Sequence, residues 1–367
     1  MTPAPGAPPT RGCSLRSTRR GGARLAASLL ACGWFAGAHA ASPCEDTAAA
    51  PASIPASVAA SAAAIPPSAT ATAATAAIPA RAPRDEQNEM LAVAMTGGRS
   101  SYTVVRGDHL TGIGARFGIS VALLARDNGL DRSAVLRVGQ SLTIENRHLA
   151  PAGVDGGILI NIPQRMLFDF EAGRLRAAYP VALGKPTWPT PTGGFQIASL
   201  VKDKPWLVPK SIQEEMRREG KEVLTRVEPG PDNPLGRHWI GLSIPALGIH
   251  GTIAPSSIYG LRSHGCIRLH PDDVADLFER VRVGTPGEIV YRPALLAELP
   301  DGRIFVEINP DAYRRAPPTV DALRRLADRH GLSNRIDWGK VRAAVSDQDG
   351  VAREIGVPTR GADRDSR

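Results

Sequence analysis

The chain has 367 residues and a formal net charge of +8, with 32 prolines, 37 glycines and only 5% aromatic residues. Such a length accommodates two or three domains, and so much proline and glycine implies that part of it is unpacked. The positive balance suits a polyanionic partner, but with few aromatics and no nucleic-acid motif it points away from nucleic acid and toward an anionic cell wall or membrane face.

The first 40 residues read as a secretory signal peptide. Arg16, Arg19, Arg20 and Arg24 form its basic region, Leu25 to Ala36 its apolar run, and Ala38-His-Ala40 its cleavage site. The apolar run is too short to span a bilayer. An exported, periplasmic protein follows, with membrane anchoring through a lipidated Cys32 as the alternative, because Leu29-Leu-Ala-Cys32-Gly resembles a lipobox. Residues 41–98 are rich in Ala, Pro, Ser and Thr and bury too little apolar surface to order themselves, so they read as a disordered linker. The four cysteines, Cys13, Cys32, Cys44 and Cys266, do not make a disulfide framework.

Residues 101–146 form a compact unit. Tyr102 to Val105 alternates like a strand, Gly107-Asp108 opens a helix running to Phe117 with Gly118 at its end, and Ser120 caps a second helix. Val138 to Ile144 supplies a closing strand. This strand–helix–helix–strand order, with Tyr102-Thr-Val, Gly107-Asp108 and Val138-Gly-Gln-Ser-Leu142, resembles a LysM module, which implies binding to N-acetylglucosamine-containing glycans. Gly112 and Gly114 depart from the usual pattern, and each weakens the first helix by about 1 kcal/mol. This unit and the linker are expected to serve localisation rather than chemistry.

Residues 156–293 have the pattern of a mainly β domain, a sandwich or barrel. Strands are expected at Ile158–Ile162, Met166–Phe170, Arg174–Leu183, His238–Ile244 and Ile289–Tyr291. Between them, Ile212 to about Leu224 is a charged helix read as a solvated face rather than part of a site. A C-terminal α/β extension is expected over 294–349, with a strand at Arg303–Ile308 and helices near Val320–His330 and Asp337–Ser346. Residues 350–367 are expected to be a flexible tail.

The chemistry concentrates in Ile249-His-Gly-Thr252 and Ser263-His-Gly-Cys-Ile-Arg-Leu269, where two histidines and a cysteine are interleaved with glycines. A cysteine attacks as thiolate and a nearby imidazole supplies the base. Glycines let backbone N–H groups approach a bound carbonyl closely. His250, His264 and Cys266 are also zinc-ligand types, but no CxxC or HExxH spacing supports a metal.

The two segments, in this order and at this separation, resemble the signature of the YkuD family of L,D-transpeptidases. Trp188-Pro-Thr-Pro-Thr-Gly-Gly-Phe195 and Gly230-Pro-Asp-Asn-Pro-Leu-Gly236 are similar to further segments of that family. The resemblance implies that Cys266 attacks a peptidoglycan tetrapeptide stem, expels the terminal D-Ala and holds the acyl group as a thioester. A second stem or a lysine of a wall-attached lipoprotein then accepts it. His250 is expected to act as base, its other ring nitrogen held by a carbonyl near Gly251, and its imidazolium form to lower the thiol's pKa. His264, Gly265 and the Cys266 N–H are expected to shape the oxyanion pocket, and Arg268, with Ser263 and Gly251, to bind substrate. Thioester chemistry needs no metal or organic cofactor. A hydrolase using the same residues and an inactive wall-binding protein are the alternatives.

Overall fold

The computed structural model describes residues 90–357, so the expected signal peptide, Cys13, Cys32, Cys44 and most of the expected linker lie outside the described residues. In chain order the elements begin with β1 (Ala92–Thr96), β2 (Arg99–Thr103), α1 (Leu110–Phe117), α2 (Val121–Asp127), β3 (Ser141–Glu145) and β4 (His148–Pro151). Next come β5 (Gly157–Asn161), β6 (Met166–Glu171), β7 (Arg174–Gly184), β8 (Gly193–Lys202), β9 (Trp206–Leu207), α3 (Lys210–Arg218) and β10 (Arg226–Val227). The barrel segment continues with β11 (His238–Leu242), β12 (Gly248–His250), β13 (Leu261–Ser263), β14 (Ile267–Leu269), α4 (Pro271–Arg280) and β15 (Pro286–Val290). The chain then runs through β16 (Ala294–Glu298), β17 (Ile304–Ile308), α5 (Val320–Arg329), α6 (Trp338–Asp347) and β18 (Ala352–Glu354).

In the LysM-like unit, β2 and β3 pair antiparallel from Arg99↔Glu145 to Thr103↔Ser141, with α1 and α2 between them in sequence. The Ser120 side chain caps α2 by accepting from the Leu123 N–H at 3.1 Å, and Gly118 ends α1 in the left-handed conformation. The cap of α1 is His109, one residue beyond the expected Gly107-Asp108. Gly114 has a packing reason that propensity does not show. A Cβ there would lie 2.7 Å from the Ile119 carbonyl oxygen, so the glycine lets α1 approach the start of α2.

Strands β7, β14, β12, β11, β8, β15, β5 and β6 follow one another in space, and β6 pairs back onto β7 to close an eight-stranded barrel. The eleven residues of β7 make closure possible: residues 174–180 pair with β6, while Val181 and Ala182 pair with β14. Alternate side chains, among them Ile158, Ile160, Leu167, Val181, Phe195, Ile240, Ile249, Ile267 and Ile289, fill the core. Gly287 leaves room for the Phe195 ring, which a Cβ would meet at 2.2 Å. Most pairings are antiparallel, but β13 with β7, β15 with β5 and β12 with β14 are parallel, the last two strands joined by the crossing residues 251–266.

Beyond the barrel, β16, β17 and β18 form a three-stranded antiparallel sheet sharing a core with α5 and α6. Two expectations are corrected here. The expected linker to residue 98 already contains β1, which pairs with β4, because Met90, Leu91, Ala92 and Met95 supply apolar side chains to two cores. The expected tail from residue 350 contains β18 on β17, with Val351, Ala352 and Ile355 buried.

The three parts meet at a buried polar node. The carboxylate of Glu307 on β17 faces His148 at 3.1 Å and accepts from the Leu149 N–H (2.6 Å), Gln164 (2.9 Å) and Asn309 (3.1 Å). The other His148 nitrogen reaches the Gly118 carbonyl of the LysM-like unit at 2.9 Å. Every one of these side chains is buried, and the network ties the parts together.

Candidate active site

The parallel register of β12 and β14 sets Ile249 opposite Ile267 and His250 opposite Arg268. Ile249 and Ile267 point into the core, so Gly248, His250, Cys266 and Arg268 share the other face. A hydrophobic pair thus fixes which face carries the chemistry, because a slip of one residue would bury His250 in the barrel.

His250 is almost fully buried, and its Nδ1 lies 2.7 Å from the Gly251 carbonyl oxygen. A carbonyl only accepts, so Nδ1 carries the proton in the neutral ring and Nε2 keeps its lone pair. The Trp239 indole stacks on the imidazole, with ring centroids 5.8 Å apart and planes 19° apart. Gly248 makes room for that indole, which a Cβ would meet at 2.4 Å. Burial, helped by the Arg268 charge, pushes the imidazole pKa down to about 4.

Cys266 is half-buried and its thiol donates to the Ala246 carbonyl at 3.7 Å. Burial pushes the thiol pKa up, against smaller opposing effects of the Gly248 backbone and Arg268. The resting pair is therefore a neutral thiol and a neutral imidazole, which corrects the expectation that imidazolium His250 lowers the thiol's pKa. Arg268 is half-buried, and its Nε has no hydrogen-bond partner among the described residues.

The turn before the thiol is held by hydroxyls. Ser263 Oγ accepts from the Gly265 N–H at 3.1 Å and donates to the Cys266 carbonyl at 2.5 Å. Gly265 has φ 111°, which favours glycine. Its carbonyl accepts from Thr190 Oγ1 at 2.8 Å, and that hydroxyl accepts from the Gly184 N–H at 2.9 Å. Tyr313 completes the clamp by donating to the Gly184 carbonyl at 2.8 Å. Gly265 thus commits its N–H to Ser263. Thr190 lies in the quoted Trp188–Phe195 segment, but Tyr313, from beyond the barrel, left no sequence signal.

His264 has partners of its own, none of them shared with His250. Its Nε2 lies 2.5 Å from Glu215 of α3, whose other oxygen accepts from Lys185 at 2.7 Å, and the Trp188 ring sits 5.4 Å away. These two partners hold the Glu215 carboxyl below its ordinary value, Lys185 more than His264. The charged helix is therefore not only a solvated face. Among the described residues no group of three His, Cys, Asp or Glu could hold a metal ion. The insertion bearing α3 is closed at its base by Asn233, whose amide donates to the carbonyls of Lys204 (3.0 Å), Val227 (3.3 Å) and Glu228 (3.2 Å). It then meets Gly251 through Gly236, where a Cβ would lie 3.3 Å from the Gly251 Cα.

Comparison with known proteins agrees with this architecture. Residues 155–289 match the YkuD L,D-transpeptidase catalytic domain and residues 102–145 the LysM domain. The probable L,D-transpeptidase YcfS of Escherichia coli K12 is 33% identical over 223 residues, 58% of this chain and 68% of that protein. The probable L,D-transpeptidase ErfK/SrfK of Salmonella typhimurium is 32% identical over 204 residues, 54% of this chain and 65% of its own length. Its Escherichia coli K12 counterpart is 27% identical over 277 residues, 71% of this chain and 87% of that protein. The chain belongs to the YkuD family of L,D-transpeptidases and is an enzyme of that type. No helix among the described residues is long and apolar enough to cross a membrane.

Proposed function

We propose that the protein is a cysteine-dependent L,D-transpeptidase of peptidoglycan. The observation that carries this reading is one sheet face that bears both Cys266 and a buried imidazole whose Nδ1 is held by the Gly251 carbonyl. That arrangement leaves Nε2 as a base of low intrinsic proton affinity, suited to passing the thiol proton onward rather than keeping it.

The sulfur attacks the carbonyl before the terminal D-Ala of a tetrapeptide stem while His250 takes its proton. Collapse breaks the C–N bond, D-Ala leaves with that proton, and a thioester remains on Cys266. An amine of a second stem, or of a wall-attached lipoprotein, attacks the thioester, gives its proton to His250 and restores the thiol. The N–H groups of Cys266 and His264 would stabilise the oxyanion, since Gly265 serves the turn. Arg268, with its unpartnered buried Nε, would hold a substrate carboxylate. The LysM domain supports glycan binding, and the basic, apolar head of the chain supports export to the periplasm, with lipidation at Cys32 as the alternative anchor.

Incubation of the full chain with disaccharide-tetrapeptide, resolved by mass, tests the reading. Cross-linked dimers with loss of D-Ala are expected. Tripeptide alone would make it a hydrolase, and no conversion would refute it.

A further inference from the structure

The loop joining His250 to Cys266 is braced by parts of the chain outside the barrel. Its 3-10 turn, Pro255–Ser257, lies against α1 of the LysM domain, and Ile258 packs with Ala115 of α1 and Ala182 of β7. The next residue, Tyr259, is buried with φ 60°, a sparsely populated conformation for a bulky side chain. Such a backbone persists only where its surroundings over-determine it.

Those surroundings come from the barrel, from β4 and from the C-terminal side. The Arg165 guanidinium stacks 4.1 Å from the Tyr259 ring centroid, and the His148 ring lies 6.3 Å away. From the C-terminal side, Gly350 leaves space that a Cβ would close to 3.2 Å from the Tyr259 hydroxyl and 3.1 Å from Asn309. Tyr259 is thus planted beside the Glu307 node that joins the LysM domain, the barrel and the C-terminal sheet.

The loop is short at both ends of this anchor. Upstream, Gly251 holds the His250 imidazole; downstream, Ser263 pairs with Gly184 and holds the Cys266 turn. Packed interiors transmit small displacements rather than absorbing them. We infer that Tyr259 is a positioning residue for the Cys266–His250 pair, and that α1 of the LysM domain braces the same loop through Ala115. The glycan-binding module is then mechanically coupled to the reaction, contrary to the expectation that it serves localisation alone. The inference rests on the thiol chemistry proposed above.

The test uses the full chain carrying Ala115→Leu, Tyr259→Leu or Tyr259→Phe. Four quantities are measured: D-Ala release, the pH profile of iodoacetamide alkylation at Cys266 (read by mass on its peptide), the melting temperature and sacculus pelleting. Ala115→Leu and Tyr259→Leu should lower kcat by roughly ten- to a hundred-fold, as small misplacements of reacting groups do. They should also shift the alkylation profile, with a loss of turnover larger than any fall in melting temperature explains and pelleting near wild type. Tyr259→Phe, which keeps the ring, should keep turnover and profile near wild type. Wild-type turnover and profile in the two leucine variants would overturn the inference. So would a loss that only tracks the unfolded fraction. If wild type releases no D-Ala while its alkylation profile still responds to Ala115→Leu, the proposed reaction fails and the coupling stands.

Discussion

Strands β12 and β14 and the insertion between β8 and β11 support the same site by opposite means. The strands hold His250 and Cys266 through backbone pairing and the buried pair Ile249 and Ile267. The insertion buries only Val208 and Leu235 among its large apolar residues; its α3, none of whose residues is buried, relies on polar staples, with Asn233 at the base and Glu215 between Lys185 and His264. Apolar alternation specifies a face at every second residue. A polar staple depends on one side chain meeting one distant partner. The first kind of support is rigid, while the second can be released by a single substitution.

That contrast can be tested from its rigid side first. Cys266→Ala should abolish D-Ala release while leaving the melting temperature near wild type, because the half-buried thiol contributes little packing. Residual turnover measured by mass would break the assignment.

His250→Gln should lower turnover by about 10²- to 10⁴-fold, the usual range for losing a general base. It should also change the acid limb of stability. The folded imidazole titrates at about 4 against 6.5 for the free group, so unfolding takes up a proton between those values. The neutral ring's contribution is therefore complete above about pH 6.5 and is lost as pH falls toward 4, by about 3 kcal/mol. Melting curves from pH 7 to 4 should fall less steeply in the variant. An identical slope would show that His250 is not the buried neutral group.

On the insertion side, Glu215→Gln should cost at most about 1 kcal/mol of stability, as partly exposed ion pairs do. Turnover should fall several-fold as His264 loses its partner, and hydrogen exchange should quicken across Lys210–Arg218. Unchanged exchange there would mean that α3 is held by something other than the staple. Arg217→Ala, on the exposed side of the same helix, should change stability by less than about 0.5 kcal/mol and leave turnover alone. A larger effect would give that surface a role the ion pairs do not explain.

The same contrast explains what the sequence disclosed. The barrel strands and the His250–Cys266 face were legible because alternation and glycine spacing are local, as were the caps at Gly118 and Ser120. The strands β1 and β18 were missed because their few apolar residues sit in polar or small-residue stretches and are buried only by distant partners. Glu215, Tyr313 and Tyr259 were missed for a related reason. Each acts on a residue brought near by the fold, and nothing beside it in the chain marks that meeting.

The parallel pairing of β5 with β15 has a consequence for how the molecule comes to exist. It joins the first strand of the barrel to its last, so the barrel cannot close until nearly the whole domain is available. Contacts this remote in sequence make for high contact order and slow folding. Until β15 arrives, β5 offers an apolar edge, and a chain truncated before Pro286 would present Ile158 and Ile160 unpaired, a template for aggregation rather than a smaller enzyme.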